Sequence, residues 1–344
     1  INHNCELIHF MNNYLEKVNK IDSNSALKFG ILFSLIFTGL IFLANTYWFS
    51  EPALLPKPEG VAFWYKWQLN DPTWLSRASV WLLYLGHQGS IWWLIYKAQE
   101  EKPTYSEGLH WFNIAALLAN AFFITMHLFQ TGIWYDGLAQ DVLEVSAQWS
   151  VIVLLFMVLI MENQRRGMFL GKKIGFVSNA AVSIRKYHGY YFAWATIYTF
   201  WYHPMVGTQG HLMGFLYMFL LLLQGSLFFT RMHLNPKWTI FLEATVVVHA
   251  MLVALAAGHN WPMFLFGFLG VFVVTQMYGL PISQKMRWLI WVAFTGVFIG
   301  VYSYKGWDTW HEIFFVSGTL WACAILFSGL ILLIQPKNTI SEEG

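Results

Sequence analysis

The sequence predicts an all-α, polytopic integral membrane protein with about ten transmembrane helices. Hydrophobic residues make up 57% of the chain and charged residues 11%, whereas a soluble domain carries about 25% charged residues. The apolar residues form continuous runs of membrane length, which excludes the alternating segments of a transmembrane β-barrel. Lys and Arg collect in alternate connecting segments, as the positive-inside rule requires of a chain that crosses the bilayer repeatedly.

The segment before the first apolar run, residues 1–28, predicts an amphipathic helix at the cytoplasmic membrane surface. Leu7, Met11, Leu15 and Val18 recur at helical spacing, and Asn and charged residues fill most other positions. A helix of this kind buries its apolar face at the boundary between headgroups and acyl chains.

Ten apolar runs follow this segment, and each is predicted to cross the bilayer as one helix. They cover residues 29–48, 78–97, 110–133, 146–162, 189–204, 211–230, 239–257, 262–279, 288–304 and 312–334. A basic cytoplasmic loop over residues 163–188 separates a four-helix half (29–162) from a six-helix half (189–334). Residues 335–344 are predicted to form a cytoplasmic tail.

The distribution of positive charge sets the predicted orientation. Ten crossings place sixteen of the 20 Lys and Arg residues on the same side as both termini. The other side receives Lys57, Lys66, Arg77 and Lys305. Because cytoplasmic loops carry the excess of Lys and Arg, both termini are predicted to be cytoplasmic. The net charge of +2, with no basic stripe, argues against a nucleic-acid partner and leaves the lipid bilayer as the predicted surroundings.

Histidines recur at both ends of three predicted spans. The third span carries His110 and His127, the fifth His188 and His203, and the sixth His211 and His233. Seven residues, Pro204 to Gly210, separate His203 from His211, and this connection is short enough to keep the fifth and sixth spans adjacent. Helical periodicity places the two histidines of the fifth span on one face, and likewise those of the sixth. The sequence therefore predicts one histidine pair near each membrane surface.

Paired histidines in a membrane bundle predict a redox protein that binds haem b. Neutral imidazole is a common axial ligand of haem iron. We expect His203 and His211 to hold one centre near the outer surface, with His127 as the alternative ligand. A second centre is expected toward the cytoplasm between the inner histidines of the same two spans, with His110 as the alternative. Such an oxidoreductase would exchange electrons with quinone or with a membrane-bound or soluble redox partner.

Two alternatives stay open. The outer histidines, together with His87 and His249, offer donors for an enzyme with a non-haem Fe, Cu or Zn centre. His87 and His249 also lie near the middle of their spans, where ionisable groups mark proton or ion paths. A proton- or ion-coupled transporter would use them with Glu243, about one turn into the seventh span. Both imidazoles are expected to face the interior of the bundle, because lipid offers them no hydrogen-bond partner.

Overall fold

The computed structural model describes residues 21–50, 52–56, 59, 67–256 and 260–334. Over these residues the chain folds into ten α-helices and four short 3-10 helices, with no β-strand, which confirms the all-α class. The α-helices are α1 (Ser23–Tyr47), α2 (Trp74–Glu101), α3 (Trp111–Trp134), α4 (Glu144–Arg166), α5 (Gly175–Trp201), α6 (Gln209–Ser226), α7 (Pro236–Ala256), α8 (Trp261–Val274), α9 (Gln284–Lys305) and α10 (Ile313–Ile334). The 3-10 helices are Leu138–Gln140, Met232–Leu234, Gln276–Gly279 and Trp310–Glu312.

Seven helices in the described part of the chain are long and apolar enough to cross a membrane, which supports an integral membrane protein. These are α1, α3, α4, α7, α8 with the 3-10 turn after it, α9, and α10 with the 3-10 turn before it. The other three helices, α2, α5 and α6, coincide with predicted spans but are less apolar along their length. The predicted amphipathic helix and tail fall largely on residues 1–20 and 335–344, which lie outside the described residues, as does His259.

Local sequence signals set several of the helix ends. Asp22, Thr73 and Ser283 each precede a helix, and each side chain accepts a hydrogen bond from the backbone N–H three residues later. Each of these side chains thereby provides an acceptor for a backbone N–H of the first helical turn, which has no acceptor within the helix itself. Lys102 and Tyr135 adopt the left-handed conformation directly after α2 and α3 and so end these helices.

The structure corrects the predicted loop over residues 163–188, because α5 already begins at Gly175. The first half of α5 buries four apolar side chains at helical spacing: Val177, Ala180, Ala181 and Ile184. Basic residues flank this segment on both sides, at Lys172, Lys173, Arg185 and Lys186, and they hide the pattern when charge is used to define the loop. His188 therefore lies near the middle of α5 rather than at its start.

The chain forms two compact units. Unit 1 contains residues 1–151 and 190–235, and unit 2 contains residues 152–189 and 236–344. The chain thus passes from one unit to the other within α4, within α5 and between α6 and α7. Whereas the two predicted halves are continuous in sequence, each of these units is built from two segments.

In unit 1, α1 packs antiparallel along α6. Gly30 lies so close to a leucine of α6 that an added Cβ would be 2.3 Å from the leucine side chain. Phe37 packs edge-on against Phe219, with 5.7 Å between the ring centroids. Toward the other end of α1, the Asn45 side chain donates to the carbonyl of Met205 (2.8 Å), just before α6 begins. The small residue at the contact allows the two helices to approach closely.

In the same unit, α2 packs antiparallel along α3. At one end, Arg77 pairs with Asp136, two residues after α3 ends (2.7 Å). At the other end, the Trp111 indole donates to the Glu101 carboxylate (3.0 Å). The two helices therefore lie side by side over their whole length.

In unit 2, α8 packs against α7 and α10. Gly267 faces Val316 of α10, where an added Cβ would lie 2.7 Å from the valine Cβ. Within α9, Tyr302 alone is buried. Many of the other large apolar side chains of α9, such as Trp288 and Leu289, are exposed, as expected for a helix with one face toward lipid.

Candidate functional site: a polar column in unit 1

A buried histidine lies inside unit 1. His87 of α2 has no exposed surface, and its ring stacks on Phe123 with 4.6 Å between centroids. The Trp201 indole N–H donates to His87 Nδ1 (3.1 Å). The ring proton is therefore on Nε2, which donates to the side-chain carbonyl of Asn120 (2.7 Å). Partners on two other helices thus fix both the orientation and the tautomer of His87.

A second buried histidine contacts the same tryptophan. His127 of α3 is fully buried, and its ring centroid lies 4.2 Å from that of Trp201. His127 Nε2 donates to the backbone carbonyl of His203 (3.1 Å), and Nδ1 lies 3.3 Å from Gln130 Oε1. With Nε2 protonated, the amide nitrogen of Gln130 must face Nδ1 to make a hydrogen bond. Trp201 therefore lies between two buried imidazoles and contacts both.

The two histidines expected to meet at the connection between α5 and α6 do lie together. The rings of His203 and His211 are in edge-to-face contact, with 4.6 Å between centroids. Trp67 packs against His211 at 4.3 Å, and the Thr208 hydroxyl lies 2.6 Å from His211 Nδ1. His203 and His211 are half-buried whereas His127 is fully buried. The histidine side chains therefore become more buried from the start of α6 toward the interior of unit 1.

Polar contacts also lead from His87 away from His127, toward the start of α3. Asn120 Nδ2 donates to Ser226 Oγ (2.8 Å), and Asn113 Nδ2 donates to the Ser226 carbonyl (2.8 Å). Asn113 in turn accepts from the backbone N–H of His110 (2.8 Å). His110 Nε2 lies 3.1 Å from a serine hydroxyl in the preceding loop. This end of the series is at the start of α3, opposite the end that contains His211.

Together these contacts form a polar column through unit 1. In order, it consists of His211, His203, His127, Trp201, His87, Asn120, Ser226, Asn113 and His110. The two ends are half-buried and the middle is buried. Ionisable groups inside a membrane bundle are expensive and mark functional sites by default, so this column is the candidate site.

An ion-pair cluster fixes the loop beside the His203 end of the column. Arg77 donates to both Asp136 and Asp141, and the Trp81 indole donates to Asp141 (2.6 Å). Burial by itself would raise the pKa of Asp141, but the hydrogen bonds from Arg77 and Trp81 outweigh it and hold the pKa below its ordinary value. The loop after α3 is therefore anchored to the start of α2.

This loop packs directly on the backbone next to His203. An added Cβ on Gly137 would lie 2.6 Å from the Tyr202 carbonyl and 2.7 Å from the His203 Cα, so a side chain does not fit there. The Ala139 N–H donates to the same Tyr202 carbonyl (2.8 Å), and the Gln68 side chain donates to the Ala139 carbonyl (2.9 Å). The ion-pair cluster thereby positions the backbone that bonds His127.

Three of the predicted site histidines lie outside the column. His188 belongs to unit 2, and its Nδ1 lies 2.6 Å from the Arg185 carbonyl. His233 belongs to unit 1, and its Nδ1 lies 3.0 Å from the Gln224 carbonyl. Their pairing stays a prediction. His249 of α7 is half-buried in unit 2.

The structure does not support the predicted metal chemistry. No group of three or more His, Cys, Asp or Glu side chains in the described part of the chain is placed to hold a metal ion. For haem, two axial imidazoles must lie on opposite faces of the plane, each about 2 Å from the iron. The edge-to-face contact between His203 and His211 leaves no space for a haem plane between the rings. In this arrangement they do not fit the expected outer haem site.

Glu243 forms a buried ion pair in unit 2. Both of its carboxylate oxygens accept from Arg166 Nη1, at 2.9 and 2.8 Å. The Arg166 side chain has no exposed surface and that of Glu243 is 12% exposed. This ion pair is the described partner of Glu243, and its expected place on a proton or ion path stays a prediction.

No pattern in the sequence marks Trp201 or Ser226 as members of the site. Trp201 lies two positions before His203, and this proximity is the one signal that could have identified it. Comparison of the chain with protein-family models, with curated proteins and with solved structures gives no match.

Proposed function

We propose that this chain is a proton-transporting integral membrane protein and that the histidines of the polar column carry the protons. The order of the column is the observation that carries this proposal. Half-buried imidazoles at His211 and His203 lead to fully buried imidazoles at His127 and His87. Imidazole accepts a proton at one ring nitrogen and releases one from the other, and chains of such groups act as proton relays in pumps and transporters.

The side chains beyond His87 do not relay protons in this way. The Asn120 amide lies between His87 and Ser226, and a second asparagine follows. An amide donates and accepts hydrogen bonds but does not titrate. A proton that reaches His87 therefore moves on only after its bonds to Asn120 and Trp201 break. This arrangement favours a gated transporter over an open proton pore.

The proposal includes ten membrane crossings and cytoplasmic termini. The packing of unit 1 supports crossing by the less apolar helices, because α2 lies along α3 and α6 lies along α1, and both α1 and α3 are candidate spans. α4 begins beside the end of α5, where Ser146 bonds Tyr198 (2.7 Å) and Ser150 bonds Thr199 (3.1 Å). If α4 crosses the bilayer, α5 must bring the chain back.

Proton flux into liposomes that contain the purified protein tests this function. Vesicles loaded with potassium and the pH-sensitive dye pyranine are diluted into potassium-poor buffer, and valinomycin then creates an inside-negative potential. We expect faster internal acidification than in protein-free vesicles. His87→Gln and His127→Gln keep a polar side chain that cannot bind a proton, so we expect both variants to fall to the protein-free rate.

His311→Gln is the matched control, because His311 is exposed and lies in unit 2 outside the column. This variant is expected to keep the wild-type flux. All variants are first required to elute as monodisperse protein in size-exclusion chromatography. The proposal fails if wild-type vesicles acidify no faster than protein-free ones, or if both His→Gln variants of the column keep the wild-type rate.

The expected haem b centres, with electron exchange to quinone or a redox partner, form a second hypothesis with one observation in its favour. His188, His203 and His233 each have Nδ1 within hydrogen-bond distance of a backbone carbonyl. This bond makes Nε2 the basic nitrogen, as in histidines that bind metals. Haem would give the purified protein a Soret band and reduced α bands. A spectrum without these bands excludes this function and leaves the proton-transport proposal intact.

A further inference from the structure

In unit 2, one edge of the buried Arg166 guanidinium has no hydrogen-bond partner among the residues that the structure describes. Arg166 ends α4, is 2% exposed, and binds Glu243 through Nη1. Its Nε and Nη2 are buried and have no hydrogen-bond partner among the residues that the structure describes. The N–H groups on these two atoms form the parallel fork that binds a carboxylate or phosphate. A buried donor without an acceptor is costly, so this edge is suited to an oxyanion.

Two further arginines lie at the 3-10 turn next to Arg166. Arg165 Nη1 donates to the Gly279 carbonyl (3.1 Å), and an added Cβ on Gly279 would lie 3.2 Å from Arg166 Cβ. The Arg287 guanidinium lies 5.1 Å from the centre of the neighbouring Tyr278 ring. Its Nε is also buried and has no partner within the described ranges. The side chains of these three arginines therefore lie against this turn and form an arginine cluster.

Positive charge exceeds negative charge in this arginine cluster. Glu162 binds Arg165 at 2.5 Å and Glu243 binds Arg166 at 2.8 Å. Arg287 forms no ion pair with any carboxylate in the described part of the chain, so one positive charge is not balanced. Two exposed lysines in the loop after α4 increase the local positive charge.

We propose that Arg166 and Arg287 bind the phosphate group of an anionic phospholipid, with the Nε–Nη2 edge of Arg166 as the bidentate contact. In the proposed orientation this end of α4 faces the cytoplasm, where anionic lipids collect and basic pockets between membrane helices bind their headgroups. Free phosphate has the same binding chemistry and is distinguished by experiment. The site lies in unit 2 and does not depend on the polar column.

Thermal unfolding of the full chain in detergent, followed by tryptophan fluorescence, tests this site. The additives are dioleoylphosphatidylglycerol, dioleoylphosphatidylcholine and inorganic phosphate, each titrated over the same range. We expect phosphatidylglycerol to raise the unfolding temperature and phosphatidylcholine to leave it unchanged. An effect of inorganic phosphate as large as that of phosphatidylglycerol would overturn the assignment to a lipid.

Three variants test the proposed contacts. Arg166→Lys keeps the charge that faces Glu243 but lacks the parallel donors, so we expect phosphatidylglycerol affinity to fall about tenfold or more. Arg287→Gln leaves the buried ion pair between Arg166 and Glu243 intact and should also weaken phosphatidylglycerol binding. Arg185→Gln removes an exposed arginine of the same unit and should leave the lipid affinity unchanged.

Two results would overturn the proposal. The first is an unchanged phosphatidylglycerol affinity in both Arg166→Lys and Arg287→Gln. The second concerns Glu342 and Glu343, which lie outside the described residues. If replacing both with Gln lowers the unfolding temperature as much as Arg166→Lys does, and phosphatidylglycerol has no effect on the wild type, a carboxylate of the chain itself occupies the edge.

Discussion

His87 and His127 are both fully buried, but different kinds of partner hold them. His87 bonds two side chains, Trp201 and Asn120, which lie on other helices of the bundle. His127 instead bonds the backbone carbonyl of His203, which belongs to the connection between α5 and α6. A shift of that connection would release His127 without any helix moving. At the scale of single residues, His127 is therefore the member of the column best placed to exchange a proton with the half-buried histidines.

The pH dependence of stability should reveal the ion pairs that fix the loop beside this connection. The pKa of Asp141 is lowered in the folded protein, so its contribution to stability is present above the ordinary pKa of 3.8 and is lost as pH falls toward the folded value. We expect wild type to unfold at a higher temperature than Asp141→Asn at pH 6, and the difference to shrink as the pH approaches 3. Differential scanning fluorimetry in detergent measures this difference.

Asp308→Asn is the control for this prediction, because Asp308 is an exposed carboxylate of unit 2. Its unfolding temperature should follow that of wild type across the same pH range. A constant difference between wild type and Asp141→Asn from pH 6 to pH 3 would contradict the assigned role of Asp141.

The sequence predicts which histidines are near one another better than it predicts which partners hold them. The short connection between His203 and His211 is enough to bring these two residues together, and the predicted span is enough to place His87 in an apolar environment. The partners of His87 are not predictable in this way, because Trp201 lies 114 positions away. That contact depends on which helices are neighbours, and neither periodicity nor charge contains this information.

At the scale of helices, Asn113 joins the start of α3 to the end of α6. Its side chain accepts from the His110 N–H and donates to the carbonyls of Ser226 and Phe228, each at 2.8 Å. The last carbonyls of a helix have no partner within the helix itself. Asn113 therefore satisfies the end of one helix with a side chain from another and fixes how far α6 extends.

Asn113→Ala should destabilise the protein by about 1–3 kcal/mol, because it leaves buried backbone groups at both helix ends without partners. Unfolding by sodium dodecyl sulfate from a mild detergent, followed by circular dichroism, measures this change. Asn24→Ala, on the exposed side of the first turn of α1, is the control and should change stability little. A loss below about 0.5 kcal/mol for Asn113→Ala, typical of a surface substitution, would show that α3 and α6 are held by other contacts.

For the whole molecule, the positive charges support two topologies equally. Ten crossings put sixteen of 20 positive residues on one side. If only the seven most apolar helices cross, the ratio is again sixteen to four, and the minority becomes Lys17, Lys20, Lys28 and Lys305. The first topology puts both termini in the cytoplasm, whereas the second puts the start of α1 outside. Charge therefore fixes the side of the loop after α4 but not the number of crossings.

The position of the start of α1 decides between these topologies. Cys5 and Cys323 are first replaced with Ser, and single cysteines are then introduced as Asn24→Cys, Lys173→Cys and Asp308→Cys. A membrane-impermeant maleimide is applied to intact and to lysed cells. In both topologies the cysteine at position 308 reacts in intact cells and the one at 173 reacts only after lysis, so these two sites control for access and leakage.

Because α2 lies along α3, α6 lies along α1 and α5 returns the chain to the start of α4, we expect ten crossings. The cysteine at position 24 should then react only after lysis. Labelling of position 24 in intact cells would mean seven crossings and would place α2, α5 and α6 outside the set of membrane-spanning helices. The polar column would then lack the two membrane faces that a proton path must join, and the proposed function would fail together with the topology.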